Sequence, residues 1–388
     1  MGALTLSIEQ GLEEIRSQAA TGSVDAAHEA LRAMVAVHAT AIRNDYIFLQ
    51  AVVFTGFWIA DLASITQAVS LHFSGIRIPE CRLSISQDDP PGAQIIIWNT
   101  ENDGSSHFVF SKSLLALDSR HMFTIVCRWL ASLRIVERYD TTFRPVGRVY
   151  LDVGDFSSGL GLCFCDNRAN ALLIPDSSFL SSNGYEDARV AFGSDATPWA
   201  ARRAVAIWRG SSTGTSTGSL METPRVQLCR LAEQPGAAEL LDTGITLVVQ
   251  ATPEDAEMLQ TSGLCKPYLP MTDHVNYKYQ IDIDGNTNSW PGLFQKLLTG
   301  SPVLKIASAN QYRQWYYSRL IPWYNYIPIA HDMSDLLDIL RHLKRNDSLA
   351  MSIGAAGRRL AAGMTYEAEV LRCLSTVEAA FNRSTFYL

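Results

Sequence analysis

Long apolar runs are missing from this chain of 388 residues. A helix that crosses a bilayer needs about 20 consecutive apolar residues, and the most apolar stretch, Tyr46 to Leu71, is broken by Thr55, Asp61, Ser64, Thr66 and Gln67. It reads as a buried helix, with a membrane-contact face as the lesser alternative. Basic residues are also short. With 32 Lys and Arg against 39 Asp and Glu, the net charge is −7, whereas binding along a phosphate backbone wants a broad basic face. The seven cysteines are odd in number, widely spaced and without the rhythm of metal ligands. Even Cys163 and Cys165, one residue apart on an expected strand, read better as buried free thiols in a reducing compartment than as a metal or redox pair. The N-terminus places acids where a secretory leader has a basic start and an apolar core, and the final residues, Thr385 to Leu388, form no ER-retention signal.

What the chain does have is enough apolar material, 47% of residues, for more than one core, and its length makes two domains the default. Residues 1 to about 75 read as amphipathic helices, from the recurrence of Leu12, Ile15, Ala27, Leu31, Met34 and Val35. Short strands follow at Gln94–Trp98 and His107–Phe110, a helix over Phe123–Val136, and strands at Val149–Val153, Gly161–Cys165 and Ala171–Ile174. A polar loop from Ser177 to Thr197 is the best boundary. Beyond it, strands (Ala204–Trp208, Gly244–Gln250, Tyr279–Asp284, Pro302–Ile306) alternate with helices (Thr223–Ala232, Leu293–Leu298), which predicts a parallel sheet flanked by helices. Helices over Met333–Ala361 and Tyr366–Phe381 close the chain.

The segment from Tyr277 to Ile329 carries the most chemical information. A strand with Tyr279, Ile281 and Ile283 on one face meets Asp284, Gly285 and Asn286, and a helix starts near Ser289 and Pro291. That order places backbone N–H groups just beyond a strand's carboxyl end, where α/β proteins bind anions. A second such place is Arg209-Gly210-Ser211 at the end of the Ala204–Trp208 strand, where small residues allow close backbone approach and arginine supplies a planar charged fork. Arg202, Arg203, Arg225 and Arg230 add to that local positive charge.

The run Tyr277-Lys278-Tyr279, Asp284-Gly285-Asn286, Ser289-Trp290, Gly300-Ser301, Val303-Leu304-Lys305, Trp315-Tyr316-Tyr317, Pro322-Trp323 and Tyr326-Ile327-Pro328 resembles glycosyltransferase family 90, over roughly Leu151 to Gly357. That family holds protein O-glucosyltransferases such as Rumi, capsule xylosyltransferases and LpsA-type lipopolysaccharide transferases. The resemblance implies an α/β GT-B enzyme, two Rossmann-like domains facing across a cleft with a C-terminal helix crossing back: 1–190 on the acceptor side, 191–365 binding the donor, and 366–388 as that last helix. It implies an inverting, metal-independent transferase that moves glucose or xylose from a UDP-sugar to a glycan hydroxyl. With no export signals, a bacterial, cytoplasmic enzyme acting on a lipopolysaccharide or capsule precursor at the inner membrane face is expected. An inactive nucleotide-sugar binder and a protein O-glycosyltransferase are the alternatives.

Carried over by position, the donor contacts are Arg209, Gly210, Ser211, Arg225, Asp284, Gly285, Asn286 and Ser289, with Lys278, Arg203 or the helix N-terminus as candidates to replace an arginine that several relatives place where this chain has Pro291. The expected base is Asp155, although Ser157 replaces the family's usual proline, and Asp152 is its runner-up. Asp282 and Asp284 spell a metal-binding Asp-x-Asp, and both carboxylates would leave the strand on one side; the matched family needs no metal, so none is expected. The aromatic residues around Trp315 to Tyr326 read mainly as core.

Overall fold

Two sheets organise the chain, each in its own compact unit. The structure, a computed structural model, describes residues 2–73, 81–86, 94–136, 146–193, 197–214 and 218–384. The first unit comprises Met1–Phe164, Asn170–Ser181 and Val370–Leu388, and the second Cys165–Ala169 and Ser182–Glu369. One of the four points where the chain passes between them, Ser181 to Ser182, lies inside the segment expected to be a polar loop. That segment in fact carries short helices at Ser177–Ser181 and Glu186–Ala191, the first started by Asp176, whose carboxylate accepts from the Phe179 amide at 2.9 Å.

The first unit opens with five helices, Gly2–Ala20, Val24–Val37, Ala39–Asn44, Tyr46–Trp58 and Leu62–His72. Leu12, Ile15, Ala27, Leu31 and Val35 are buried, as their spacing predicts. The stretch read as one buried helix is two. Ala60 takes a left-handed φ of 58°, and the buried Asp61 caps the second helix, accepting from the Ser64 amide at 3.2 Å and its hydroxyl at 2.7 Å. Among the described residues no helix is long and apolar enough to cross a membrane.

The first sheet contains β1 (Cys81–Ser86), β2 (Ile95–Thr100), β3 (Ser106–Ser111), β4 (Gly147–Asp152), β5 (Leu162–Cys163) and β6 (Leu172–Leu173), in the order β1-β3-β2-β4-β5-β6. It is mixed rather than uniformly parallel, because β2 runs antiparallel to both neighbours. The cause is local: Gly104, at a φ of 84°, and Asp103, whose carboxylate accepts from the Ser105 amide at 2.8 Å, turn β2 tightly back into β3. The helix Ser119–Val136 covers this sheet's core through Trp129, which meets Phe108 and Phe110 edge-on at 5.5 and 5.0 Å. Phe381 of the last helix, Tyr366–Ser384, packs on Trp98 of β2 at 5.3 Å.

The second sheet is wholly parallel: β7 (Arg203–Ser211), β8 (Leu241–Leu247), β9 (Tyr277–Asp282), β10 (Val303–Ile306) and β11 (Ile327–Ile329), in the order β11-β10-β9-β7-β8. Numbered within the unit this is 2-1-3-4-5, the doubly wound order whose direction of winding reverses between its first and third strands. Here those strands are β7 and β9. Ligands of such sheets bind outside the carboxyl ends at that reversal. The expected β7 is extended by Arg209, Gly210 and Ser211, so the Arg-Gly-Ser triplet is the end of the strand itself. Phe294, Trp315 and Tyr316 pack with Tyr185 as core, with Phe294 stacked on Trp315 at 6.3 Å. Trp323 and Tyr324 stay exposed.

Candidate functional site

The carboxyl ends of β7, β9 and β10 converge on a cavity of about 470 Å³, walled by Glu222 and Pro224 from beyond β7, by Ile283 to Thr287 after β9, by Ile306 to Asn310 after β10, and by His331. Arg225, from the helix Pro224–Leu231, fills the reversal point behind this wall. Its guanidinium donates to the Ser211 carbonyl and hydroxyl at 3.2 Å each, to the Thr213 hydroxyl at 2.5 Å, and to the carbonyls of Asp284 and Ile283 at 3.1 and 3.3 Å. All five acceptors are neutral. Burial lowers this guanidinium's pKa to about 10, with Asp282 and Asp284 supporting the charge from farther away. Arg225 therefore remains a cation at neutral pH, tying β7 to β9 while its charge is opposed by no carboxylate in its own hydrogen-bond shell.

Gly285 leaves room for the Thr213–Arg225 contact, since a Cβ there would stand 2.8 Å from Thr213 Oγ1 and 3.0 Å from Arg225 Nη2 and would push the threonine hydroxyl aside. Gly210 is equally confined, 2.6 Å from the Trp208 ring for an added Cβ. Ser211, Gly285, Asp284, Asn286 and Arg225 thus fall in one place, as their positions in the sequence suggested. Residues 215–217 of the polar segment after Gly214 lie outside the described residues.

Arg209 lies elsewhere. Its guanidinium donates to the Asp242 carboxylate at 2.7 Å and to the carbonyls of Asp242 and Trp208 at 2.8 and 3.0 Å, and it is not among the residues that line the cavity. Lys278 sits near the amino end of β9, away from the strand ends that form the cavity, bound to Asp347 at 2.7 Å and lying over the Trp199 ring at 5.0 Å. Ser289 is turned inward on its own helix, Pro291–Leu298: its hydroxyl accepts from the Leu293 amide at 3.2 Å and its carbonyl from the Gly292 amide at 2.9 Å. Pro291 has no N–H, so three of the first donors of this helix are absent or already engaged. The anion-binding helix start expected there is closed by its own cap.

The Asp-x-Asp pair does share a side of the strand, and what it meets there is lysine. Lys305 reaches Asp282 and Asp284 at 3.0 Å each, and Lys296 reaches Asp282 at 2.8 Å. Burial raises the Asp282 carboxyl, but the two ammonium groups outweigh it and hold the group below its usual range. Burial also opposes the charge of Lys305, and its two carboxylates more than restore it. Asp284 differs: burial, with the charge of Asp282 added, holds it above the usual range against the pull of Lys305. Lys296 and Lys305 carry no signal as site residues in the sequence except that an aspartate inside a buried strand requires a counter-ion.

In the first unit, the two candidate bases separate clearly. Asp152 ends β4 and is buried, its carboxylate accepting from the amides of Gly154, at 3.2 Å, and Ser158. It holds the turn. Asp155 stands on that turn with 36% of its side chain exposed, oriented by Arg128, whose guanidinium donates to its Oδ1 at 2.6 Å and to the Val153 carbonyl at 2.7 Å. Phe156 and Leu160 beside it are exposed.

The profile of Glycosyl transferase family 90 matches residues 166–370, more than half of the 388 residues. The chain belongs to glycosyltransferase family 90. Among curated relatives, Protein O-glucosyltransferase 3 of Homo sapiens is 30% identical over 137 residues, covering 35% of this chain and 25% of that protein. Protein O-glucosyltransferase 1 of Rattus norvegicus is 30% identical over 164 residues, 41% of this chain and 37% of the relative. The family 90 chain is also 28% identical over 156 residues, 39% of its length, to Uncharacterized protein 035R of Invertebrate iridescent virus 3, of which it spans 14%. It therefore spans well under half of these relatives, which are animal and viral. A crystal structure of TarM aligns with a TM-score of 0.32 at 14% identity, over 45% of this chain and 35% of that one, a likeness too slight to argue from.

Proposed function

We propose that this family 90 member is an inverting glycosyltransferase of GT-B type that takes a hexose or pentose from a UDP-sugar without a metal ion. The observation that carries the reading is Arg225, a buried cation at the β7/β9 reversal whose own bonds reach only neutral oxygens. A diphosphate bound outside these strand ends would be the anion its charge faces, and a cation already in place stabilises the departing phosphate as its negative charge grows. Asp282 and Asp284 have lysines where a metal-dependent enzyme would need their oxygens for the ion.

Asp155 is proposed as the base. The acceptor oxygen bonds to the anomeric carbon as the bond from that carbon to the diphosphate oxygen breaks. The hydroxyl proton passes to the Asp155 carboxylate, the bonding electrons leave with UDP, and the configuration inverts. Asp152, occupied by two backbone amides, is the weaker candidate. The names of the curated relatives favour glucose and a protein acceptor; a glycan precursor is the alternative acceptor. A donor screen tests the proposal: the purified protein is incubated with each common nucleotide sugar, with and without EDTA, and free nucleoside diphosphate is followed. Slow release from one UDP-sugar, unchanged by EDTA, is expected. Release that EDTA abolishes would overturn the metal-free part, and a donor other than a UDP-sugar would overturn the nucleotide assignment.

A further inference from the structure

The aromatic residues around Trp315 to Tyr326 read from the sequence mainly as core, yet the loop that leads into β11 turns its own outward. Ile321, Trp323 and Tyr324 are 52%, 43% and 57% exposed, and Pro322 among them is exposed as well. Four consecutive residues with large apolar surfaces are out of place in water unless they have a task. The loop is not free to turn them in. The buried Asn325 accepts from the Ile321 amide at 2.8 Å and donates to the Arg319 carbonyl at 3.0 Å. The Tyr324 amide donates to the Ile321 carbonyl at 3.1 Å, and the Trp323 amide to the Tyr326 carbonyl at 2.8 Å. Trp323 itself is held at a left-handed φ of 59°, a conformation that is costly for a bulky residue. The fold fixes these side chains outward.

We propose that this loop and the end of the helix beside it, Leu336–Arg345, form a face that docks on an anionic lipid bilayer. The Trp323 ring meets His342 edge-on at 6.4 Å, and Arg345 follows one turn later on the same side of that helix. Lys344 and Arg345 are exposed, and among the described residues neither pairs with a carboxylate. The acids that flank them, Asp338 and Asp347, already hold Arg341 and Lys278 at 2.7 Å each. A chain of net charge −7 thus sets two unopposed cations beside an aromatic-tipped loop. Tryptophan and tyrosine settle at the headgroup level of a bilayer, and basic side chains next to them meet lipid phosphates. A second copy of this chain fits the face less well, because a two-fold contact would bring the same cations against each other.

Co-sedimentation of the full chain with lipid vesicles tests this, comparing pure phosphatidylcholine with vesicles in which about a third of the lipid is phosphatidylglycerol. The wild-type protein is expected to bind the anionic vesicles roughly tenfold better or more, and to lose that preference as salt is raised. Lys344→Gln combined with Arg345→Gln, two changes at exposed positions, should weaken binding to the anionic vesicles by about tenfold. Trp323→Gly suits the left-handed backbone and should weaken it by a similar factor through loss of the ring. A thermal melt shows whether that variant is folded, and if it is not, the charge variant and the wild-type comparison decide. Failure of the wild-type protein to bind the anionic vesicles, or binding that the folded variants keep within about twofold, would overturn the proposal. So would a dimer in sedimentation velocity that Trp323→Gly dissolves, which would assign the face to a second copy. None of these outcomes depends on the sugar-transfer reading.

Discussion

Arg225 and Arg209 began as equivalent candidates and the structure gives them different work. Both are largely buried arginines at the reversal strands, but Arg209 is neutralised by Asp242 at 2.7 Å, whereas Arg225 has only neutral acceptors. Arg225→Met should therefore reduce UDP affinity by about tenfold or more, while Arg209→Met should lower the melting temperature and leave UDP affinity within about twofold. Calorimetry and thermal melts on the two variants check this, and the reverse pattern would place the anion site at Arg209. Sequence order alone could not separate them. Arginines at a strand end and at the first turn of the next helix look alike until the partner of each is known, and that partner, Asp242, lies on β8, 33 residues along the chain from Arg209.

Among the elements, β9 and the helix that follows it depend on one buried charge set. Asp282 is fully buried between Lys296 and Lys305, and removing its charge leaves Lys296 without its counter-ion. Asp282→Asn should cost about 3–5 kcal/mol, measured as a shift in urea unfolding, with Asp61→Ala as a milder comparison at about 1 kcal/mol for a lost helix cap. Equal shifts would mean the lysines find other partners. Four of the five strands of the second unit were legible because apolar β-strands alternate with helices, and the resemblance to family 90 marked which ends matter; the three-residue β11 and the helix Pro253–Thr261, both short, were not read. Three further details were not legible. The Tyr46 to Leu71 stretch is mostly apolar on both sides of Asp61, and only the capping geometry of that residue shows where one helix stops and the next begins. Ser289 reads as an open helix start, yet its hydroxyl and carbonyl close that end on themselves. The antiparallel β2 is fixed by a tight turn at Asp103 and Gly104 that read only as loop.

For the whole molecule, acid should be the weakness. His274 is buried and titrates near 4 rather than its ordinary 6.5, because burial and then the charge of Lys296 oppose its cation. Between those values the unfolded chain binds more protons than the folded one, so stability is complete above 6.5 and falls as pH drops toward 4, by about 3 kcal/mol at most. Asp242 extends the loss: burial raises its carboxyl, but Arg209 and Lys266 bring it down to about 2 from 3.8, so its contribution is present above 3.8 and disappears as pH falls through 2. Urea midpoints at pH 7, 5.5 and 4 should decline in order, and His274→Gln should flatten the upper part of that decline.

The central claim, sugar transfer with Asp155 as base and the donor held in the second unit, is tested most directly by measuring UDP release and UDP affinity side by side in wild type and Asp155→Asn. The account predicts UDP affinity within about twofold and release slower by roughly a hundredfold or more. Release at the wild-type rate from the variant would contradict it.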